Sequence, residues 1–210
     1  MSPPAITRDN PSPVNGVSKS VVSSTKAGIT PSTSLPHGPS HSAPPAWVKP
    51  DLSRLLRVEH YPGSFASRSV SLVDLPAGAV FARITNPTPA TRAYSSVQAS
   101  RDLHIELNCD LVYINHSCRP SLVFDMERWE IRVGSESKLK VGDELTFFYP
   151  STEWQMAQPF DCSCKQAECK GTISGAKDMP ETVLQHYWLN PHIEELLQEK
   201  RMLGNKESRD

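Results

Sequence analysis

Three cysteines stand within eight residues, as Cys162-x-Cys164-x4-Cys169, among polar neighbours and just before Gly171. Thiolates at that spacing offer three soft ligands from one loop, whereas a tetrahedral zinc ion takes four N or S donors at about 2.1–2.3 Å. The fourth donor must come from elsewhere in the chain. Cys118, in the turn His116-Ser117-Cys118-Arg119-Pro120, is the first candidate, because a tail folded back could reach it; His116 is the second. The alternative, ordinary buried thiols or one local disulfide, suits apolar surroundings that these cysteines lack. Cys109 stands apart in Asn108-Cys109-Asp110-Leu111 and reads as a small core or loop residue. Between Cys118 and the cysteine tail lies the run Gly142–Tyr149, closed by Pro150.

The elements that must position these residues are short. Leu55–Tyr61 ends at the turn Pro62-Gly63. Ser69–Val73 alternates as a half-buried strand, and Ala79–Ile84 follows after Pro76-Ala77-Gly78. Asn86-Pro87-Thr88-Pro89 reads as a break. Ser96–Gln98 and Leu103–Leu107 flank a turn at Ser100–Asp102, and Leu122–Phe124 and Trp129–Val133 form a hairpin across Asp125–Arg128. Leu145–Tyr149 is a last strand, stopped by Pro150. Strands of this length at close spacing predict a mainly β fold with an irregular core. Helices are expected only at the end, over Pro180–Leu189 and from Asn190-Pro191 to about Leu203, with a frayed polar end over Asn205–Asp210.

Residues 1–50 hold ten of the nineteen prolines, ten serines and one aromatic residue, Trp47. Such a segment buries too little apolar surface to offset its ordering entropy and is expected to be a disordered Ser/Pro-rich arm. The net charge of −1 gives no electrostatic signal for nucleic acid or a membrane surface. No apolar run reaches the roughly 18 residues of a spanning helix. With no secretory pattern at the N-terminus, an intracellular location, cytoplasmic or nuclear, is expected, and clustered thiols there suit metal better than disulfides.

The motifs Asn115-His116-Ser117-Cys118-Arg119-Pro120-Ser121, Gly142–Tyr149 and the cysteine tail occur in the order and spacing of the SET domain with its post-SET zinc segment. The chain resembles that family over about residues 55–200, and the segment 150–160 is similar to compact microbial and fungal SET proteins. The family's typical members are protein-lysine methyltransferases that use S-adenosylmethionine. The resemblance implies a SET β-clip with a knot-like core over 51–157, a post-SET zinc segment over 158–175 and helices packing on the core over 176–205. It implies that Asn115 and His116 hold the adenine of S-adenosylmethionine and that Tyr149 stands at the methyl-transfer channel. Cys118, Cys162, Cys164 and Cys169 would bind one structural zinc, and Trp154 and Phe160 would either cover the cofactor or pack the tail. Where the family usually carries Gly-x-Gly, this chain has Ser67-Arg68-Ser69, whose hydroxyls and guanidinium could meet the cofactor's carboxylate. Ser121 replaces the usual asparagine and Phe148 the usual aspartate; Tyr94 and Tyr113 are candidates for a second channel tyrosine, each with a simpler structural reading.

Methyl transfer from a sulfonium to an amine is an in-line displacement, so alignment supplies much of the catalysis. Lysine's unperturbed pKa is about 10.4, and an apolar channel favours the neutral amine that attacks. Phe147 and Phe148 could line such a channel, although core packing suits at least one of them better. The substrate implied is a lysine in a protein. The link between the first strands and Asn115 is short, so either a peptide binds in a shallower groove or the acceptor is a small molecule. The altered Ser67–Ser69 and Phe148 positions suggest a third reading, a binding or scaffold protein without the chemistry.

Overall fold

The computed structural model describes residues 51–63, 66–136 and 138–207; the arm over 1–50 lies outside them, as do 208–210. The mainly β expectation holds. Twelve short strands and two helices are described: β1 Leu56–His60, β2 Ser67–Ser71, β3 Val80–Arg83, β4 Thr88–Ala90, β5 Val97–Ser100, β6 Leu103–Glu106, β7 Asn115–His116, β8 Leu122–Asp125, β9 Glu130–Val133, β10 Glu144–Phe147, β11 Phe160–Asp161, β12 Thr172–Ile173, α1 Glu181–Leu184 and α2 Pro191–Glu207.

The strands form small curled sheets. One runs β1-β2-β10-β7, two others β3-β9-β8 and β4-β6-β5, and β11 pairs with β12. In the first, β10 lies antiparallel to β2 but parallel to β7, with Thr146 opposite Asn115 and Phe147 opposite His116. Parallel pairing needs a crossover, and here the β8–β9 hairpin is part of it, so the chain returns beside its own earlier turn. The alternating apolar positions of β6, β8, β9 and β10 meet inside: Ile105, Phe124, Ile131 and Leu145 are fully buried. Phe147 stacks on Phe124 at 4.0 Å.

A second core forms under the tail, where Phe148, Ile173, Ala176, Met179, Leu184, Ile193 and Leu197 pack with Cys118. Asn190 joins the two cores. Its Nδ2 donates to the Phe124 and Ser151 carbonyls at 2.9 and 2.8 Å, and its Oδ1 accepts from the Met126 N–H at 2.8 Å. The side chain of this residue, which directly precedes α2, is therefore spent on the core. Gly175 is required by a close approach: a Cβ there would lie 2.4 Å from the Trp154 carbonyl oxygen. The adjoining Ala176 and Lys177 N–H groups bond to the Glu153 and Trp154 carbonyls at 2.8 and 3.0 Å.

Three expectations need correction. The helix expected over Pro180–Leu189 is a single turn, Glu181–Leu184. Tyr187 leaves the helical path to stack on Phe148 at 3.6 Å and to donate its hydroxyl to the Cys118 carbonyl at 2.8 Å. Helix α2 passes Gly204 and ends at Glu207. The expected break at Thr88-Pro89 is β4, an edge strand where a proline's missing N–H faces away from the ladder. No helix among the described residues is long and apolar enough to cross a membrane.

Candidate functional site

Four thiols converge where the sequence brings three. Cys118 follows β7 in a buried turn, and Cys162, Cys164 and Cys169 ride the loop between β11 and β12. That loop closes through a 2.9 Å bond from the Cys162 N–H to the Gly171 carbonyl. Gly171, at φ +74°, and Lys165, at φ 57°, supply the left-handed turns that bend it. All four sulphurs lie within 4.8 Å of one another, and those of Cys118 and Cys162 are 3.8 Å apart. A tetrahedral ion with Zn–S of about 2.3 Å separates its sulphurs by about 3.8 Å, the spacing of Cys118 and Cys162, so the donor set suits zinc. Backbone donors already face two of the sulphurs: Lys170 N–H to Cys118 at 3.3 Å and Cys164 N–H to Cys162 at 3.4 Å. Burial pushes the Cys118 and Cys162 thiols up. Burial opposes ionisation of Cys164 as well, but the Cys118 and Gln166 N–H groups and the neighbouring thiols outweigh it and bring this thiol down to about 6. A bound cation would ionise all four.

His116, the alternative fourth donor, is used differently. Its Nδ1 accepts the Tyr149 N–H at 3.2 Å, while Nε2 lies 3.5 Å from the Cys118 sulphur. An acceptor at Nδ1 places the proton of the neutral ring on Nε2, directed at that sulphur. Burial holds the imidazole neutral, lowering its pKa to about 4. The ring also meets Tyr149 and Phe160 edge-on, with centroids at 5.3 and 5.7 Å.

These residues open onto a cleft of about 1050 Å³, lined among others by Asn115, His116, Phe147, Tyr149, Glu153 and Phe160. Small-molecule sites span about 300–1,000 Å³, so the space admits a nucleoside-sized ligand and part of a second molecule. Tyr149 donates its hydroxyl to the Ile114 carbonyl at 3.3 Å. Burial first, and then the charge of Glu153, push its phenol well above the usual range. Tyr149 is thus a hydrogen-bond donor at neutral pH and not a base.

The structure places the remaining expected residues unevenly. Asn115 Nδ2 bonds to the Ser67 carbonyl, tying β7 to the end of β2. Ser69 is fully buried and gives its hydroxyl to the Tyr113 carbonyl at 3.0 Å. Arg68 pairs with Glu59 at 2.8 Å across β1. Ser67, Arg68 and Ser69 therefore stand on the strand beside the cleft and do not line it. Phe160 and Trp154 both pack against the tail core, and of the two Phe160 also lines the cleft. Phe147 lines the cleft and Phe148 supports the tail. Tyr94 lies at the rim, and Tyr113 packs edge-on against His60 at 5.3 Å.

Glu153 and His104 carry no expectation from sequence. Glu153 is only 8% exposed; its Oε1 accepts the Gln98 N–H at 2.7 Å and the Thr152 hydroxyl at 3.1 Å. Burial raises its pKa to about 7. The available signal was its position four residues beyond Tyr149, one turn further along the same segment.

No protein-family model matches the chain. A cleft joined to a four-thiol cluster on a mainly β scaffold defines the class structurally, and similarity to known proteins gives it a chemistry. The chain is 51% identical over 165 residues to methyltransferase flvH of Aspergillus flavus, an alignment spanning 78% of this chain and 93% of that protein. It belongs to that methyltransferase family. A shorter stretch, 75 residues at 25% identity, matches histone-lysine N-methyltransferase ash1 of Drosophila melanogaster, covering 33% of this chain and 3% of that protein.

Proposed function

We propose that the chain is a SET-type methyltransferase that uses S-adenosylmethionine to methylate an amine nitrogen, with one structural zinc on Cys118, Cys162, Cys164 and Cys169. The observation that carries this reading is the parallel pairing of β7 with β10. It sets Asn115 and His116 beside Tyr149 on the cleft and leaves Cys118 in the thiol cluster. Asn115, His116 and Phe160 would hold the donor, with Ser67, Arg68 and Ser69 on the adjacent strand.

The bound donor supplies a sulfonium whose methyl carbon is open to in-line attack. The chain's part is to align and to exclude water. The rings of Phe147, Tyr149 and Phe160 offer π-faces to a cationic amine, and the Tyr149 hydroxyl orients it. The partial similarity to ash1 supports a protein lysine as acceptor. The concave cleft of about 1050 Å³ favours a small-molecule amine. Calorimetry with S-adenosylmethionine tests the first step. Transfer of labelled methyl to a protein extract and to a metabolite extract then separates the two acceptors. Absence of donor binding to the zinc-loaded protein removes the reading.

A further inference from the structure

We infer that Glu153 is the proton acceptor of the cleft: its Oε2 takes the proton of the substrate ammonium before methyl transfer, with His104 behind it. This rests on the reading above that the cleft receives an amine and a sulfonium methyl donor.

The fold uses half of this carboxylate. Oε1 accepts from Gln98 and Thr152, while Gln98 returns a bond from its own Oε1 to the Trp154 N–H at 2.8 Å. A glutamine amide oxygen at 153 would accept the same two donors, so folding does not require a charge there. Yet a carboxylate is buried at this place, where an uncompensated charge costs several kcal/mol. Glu153 lines the cleft, and its Oε2 lies 3.9 Å from the neutral His104 Nδ1. That nitrogen is buried and has no hydrogen-bond partner. A carboxyl proton on Oε2 would satisfy it once the 3.9 Å gap closes to hydrogen-bond length.

The surroundings assign the roles. His104 (β6) is kept neutral by burial and by the charges of Arg92 and His192. Arg92 is engaged with Gln155 Oε1 at 3.1 Å, and His192 (α2) bonds to the Thr152 carbonyl at 2.8 Å, with Glu195 nearby. Glu106, also on β6, holds the Ser95 hydroxyl at 3.0 Å. The Tyr149 hydroxyl feels the Glu153 charge but donates to the Ile114 carbonyl. A carboxyl with its pKa near 7 can be ionised at rest and protonated on demand.

The step balances. The ammonium N–H bond breaks and its proton goes to Glu153 Oε2, leaving the lone pair on nitrogen. That pair forms the N–CH3 bond as the methyl–sulphur bond breaks, with its electrons remaining on sulphur. The positive charge passes to the methylated amine, and Glu153 returns its proton to solvent through the open cleft.

The test is binding of Nα-acetyl-lysine methylamide, as the amine probe, to the zinc-loaded protein saturated with S-adenosylhomocysteine. Wild-type affinity rises with pH through about 7 as Glu153 ionises. Glu153→Gln binds the probe roughly 10- to 100-fold more weakly and without that pH dependence. Equal affinity and an equal pH profile in Glu153→Gln overturn the inference. So does a wild type that binds S-adenosylhomocysteine but not the probe, which leaves the donor reading intact. A wild type that binds neither overturns both. Should Glu153→Gln fail to fold, the wild-type profile decides, since an affinity that is flat through about pH 7 overturns the inference alone.

Discussion

Replacing Asn190 by alanine is expected to detach the tail from the core. The side chain is fully buried and makes three bonds, to the Phe124 and Ser151 carbonyls and from the Met126 N–H. The Ser151 carbonyl keeps a second donor, the Asn190 N–H at 3.1 Å. The Phe124 carbonyl and the Met126 N–H lose this partner in a place closed to water. Three bonds at about 1 kcal/mol each, plus a desolvation penalty of roughly 1–2 kcal/mol for the groups left behind, give about 4 kcal/mol. For a folded part of this size that is a fall of roughly 8–16 °C in the melting midpoint. Urea unfolding should show a lower midpoint with an unchanged slope. Asn190→Asp should lose at least as much, because it turns an acceptor toward two carbonyls. A loss below about 1 kcal/mol in Asn190→Ala, or a fully stable Asn190→Asp, refutes the claim that this residue rivets the two cores.

Four further outcomes are expected. Metal analysis should give about one zinc per chain, and none when Cys162 and Cys164 are both serine, with weaker donor binding because site and tail fold together; a metal-free wild type with the same tail protection in hydrogen exchange counts against it. Gly175→Ala should lose about 1–3 kcal/mol, since its Cβ would lie 2.4 Å from backbone oxygen; urea midpoints within error of wild type reject this. Tyr149→Phe should reduce methyl transfer by roughly 100-fold while stability changes by about 1 kcal/mol, and a fully active variant removes the tyrosine from the site. The folded pKa of Glu153 stands above its ordinary value of 4.5, so its contribution is fully present below 4.5 and is lost as pH rises to about 7. Glu153→Gln should therefore gain roughly 3 kcal/mol relative to wild type between pH 4.5 and pH 8, measured by urea unfolding at both; no relative gain disproves the burial account.

Local chemistry was legible; long-range pairing was not. The strands from β2 to β10 whose alternation is clear lie within a residue or two of their expected places, because each buries one face against the same core. The cysteine spacing likewise brings three of the four converging thiols together within eight residues. Strand β7 is only two residues long and owes its existence to β10, thirty residues later, so no local pattern announces it. The helix expected at Pro180–Leu189 has adequate propensity, but one buried aromatic stack and one hydroxyl bond from Tyr187 draw the chain out of it. Nothing local marks Glu153, whose buried bond comes from Gln98, fifty-five positions earlier.

The thiol cluster and the cleft are mechanically one unit, and His116 is the joint. Its two ring nitrogens face opposite ways, one toward the Cys118 sulphur and the other accepting the N–H of Tyr149. Because that N–H fixes the tautomer, the ring cannot rotate without leaving a buried donor unpaired, a loss of about 1–3 kcal/mol. Cys118 also carries the tail through its carbonyl, which holds Tyr187, whose ring in turn lies flat on Phe148, the residue before Tyr149. Two independent paths thus run from one cysteine of the cluster to the same tyrosine. Loss of the cluster would free the tail and also release the side chain that sets the Tyr149 backbone. If the proposed zinc sits on these thiols and the proposed methyl transfer occurs at Tyr149, this is a physical route by which the one sets the geometry of the other.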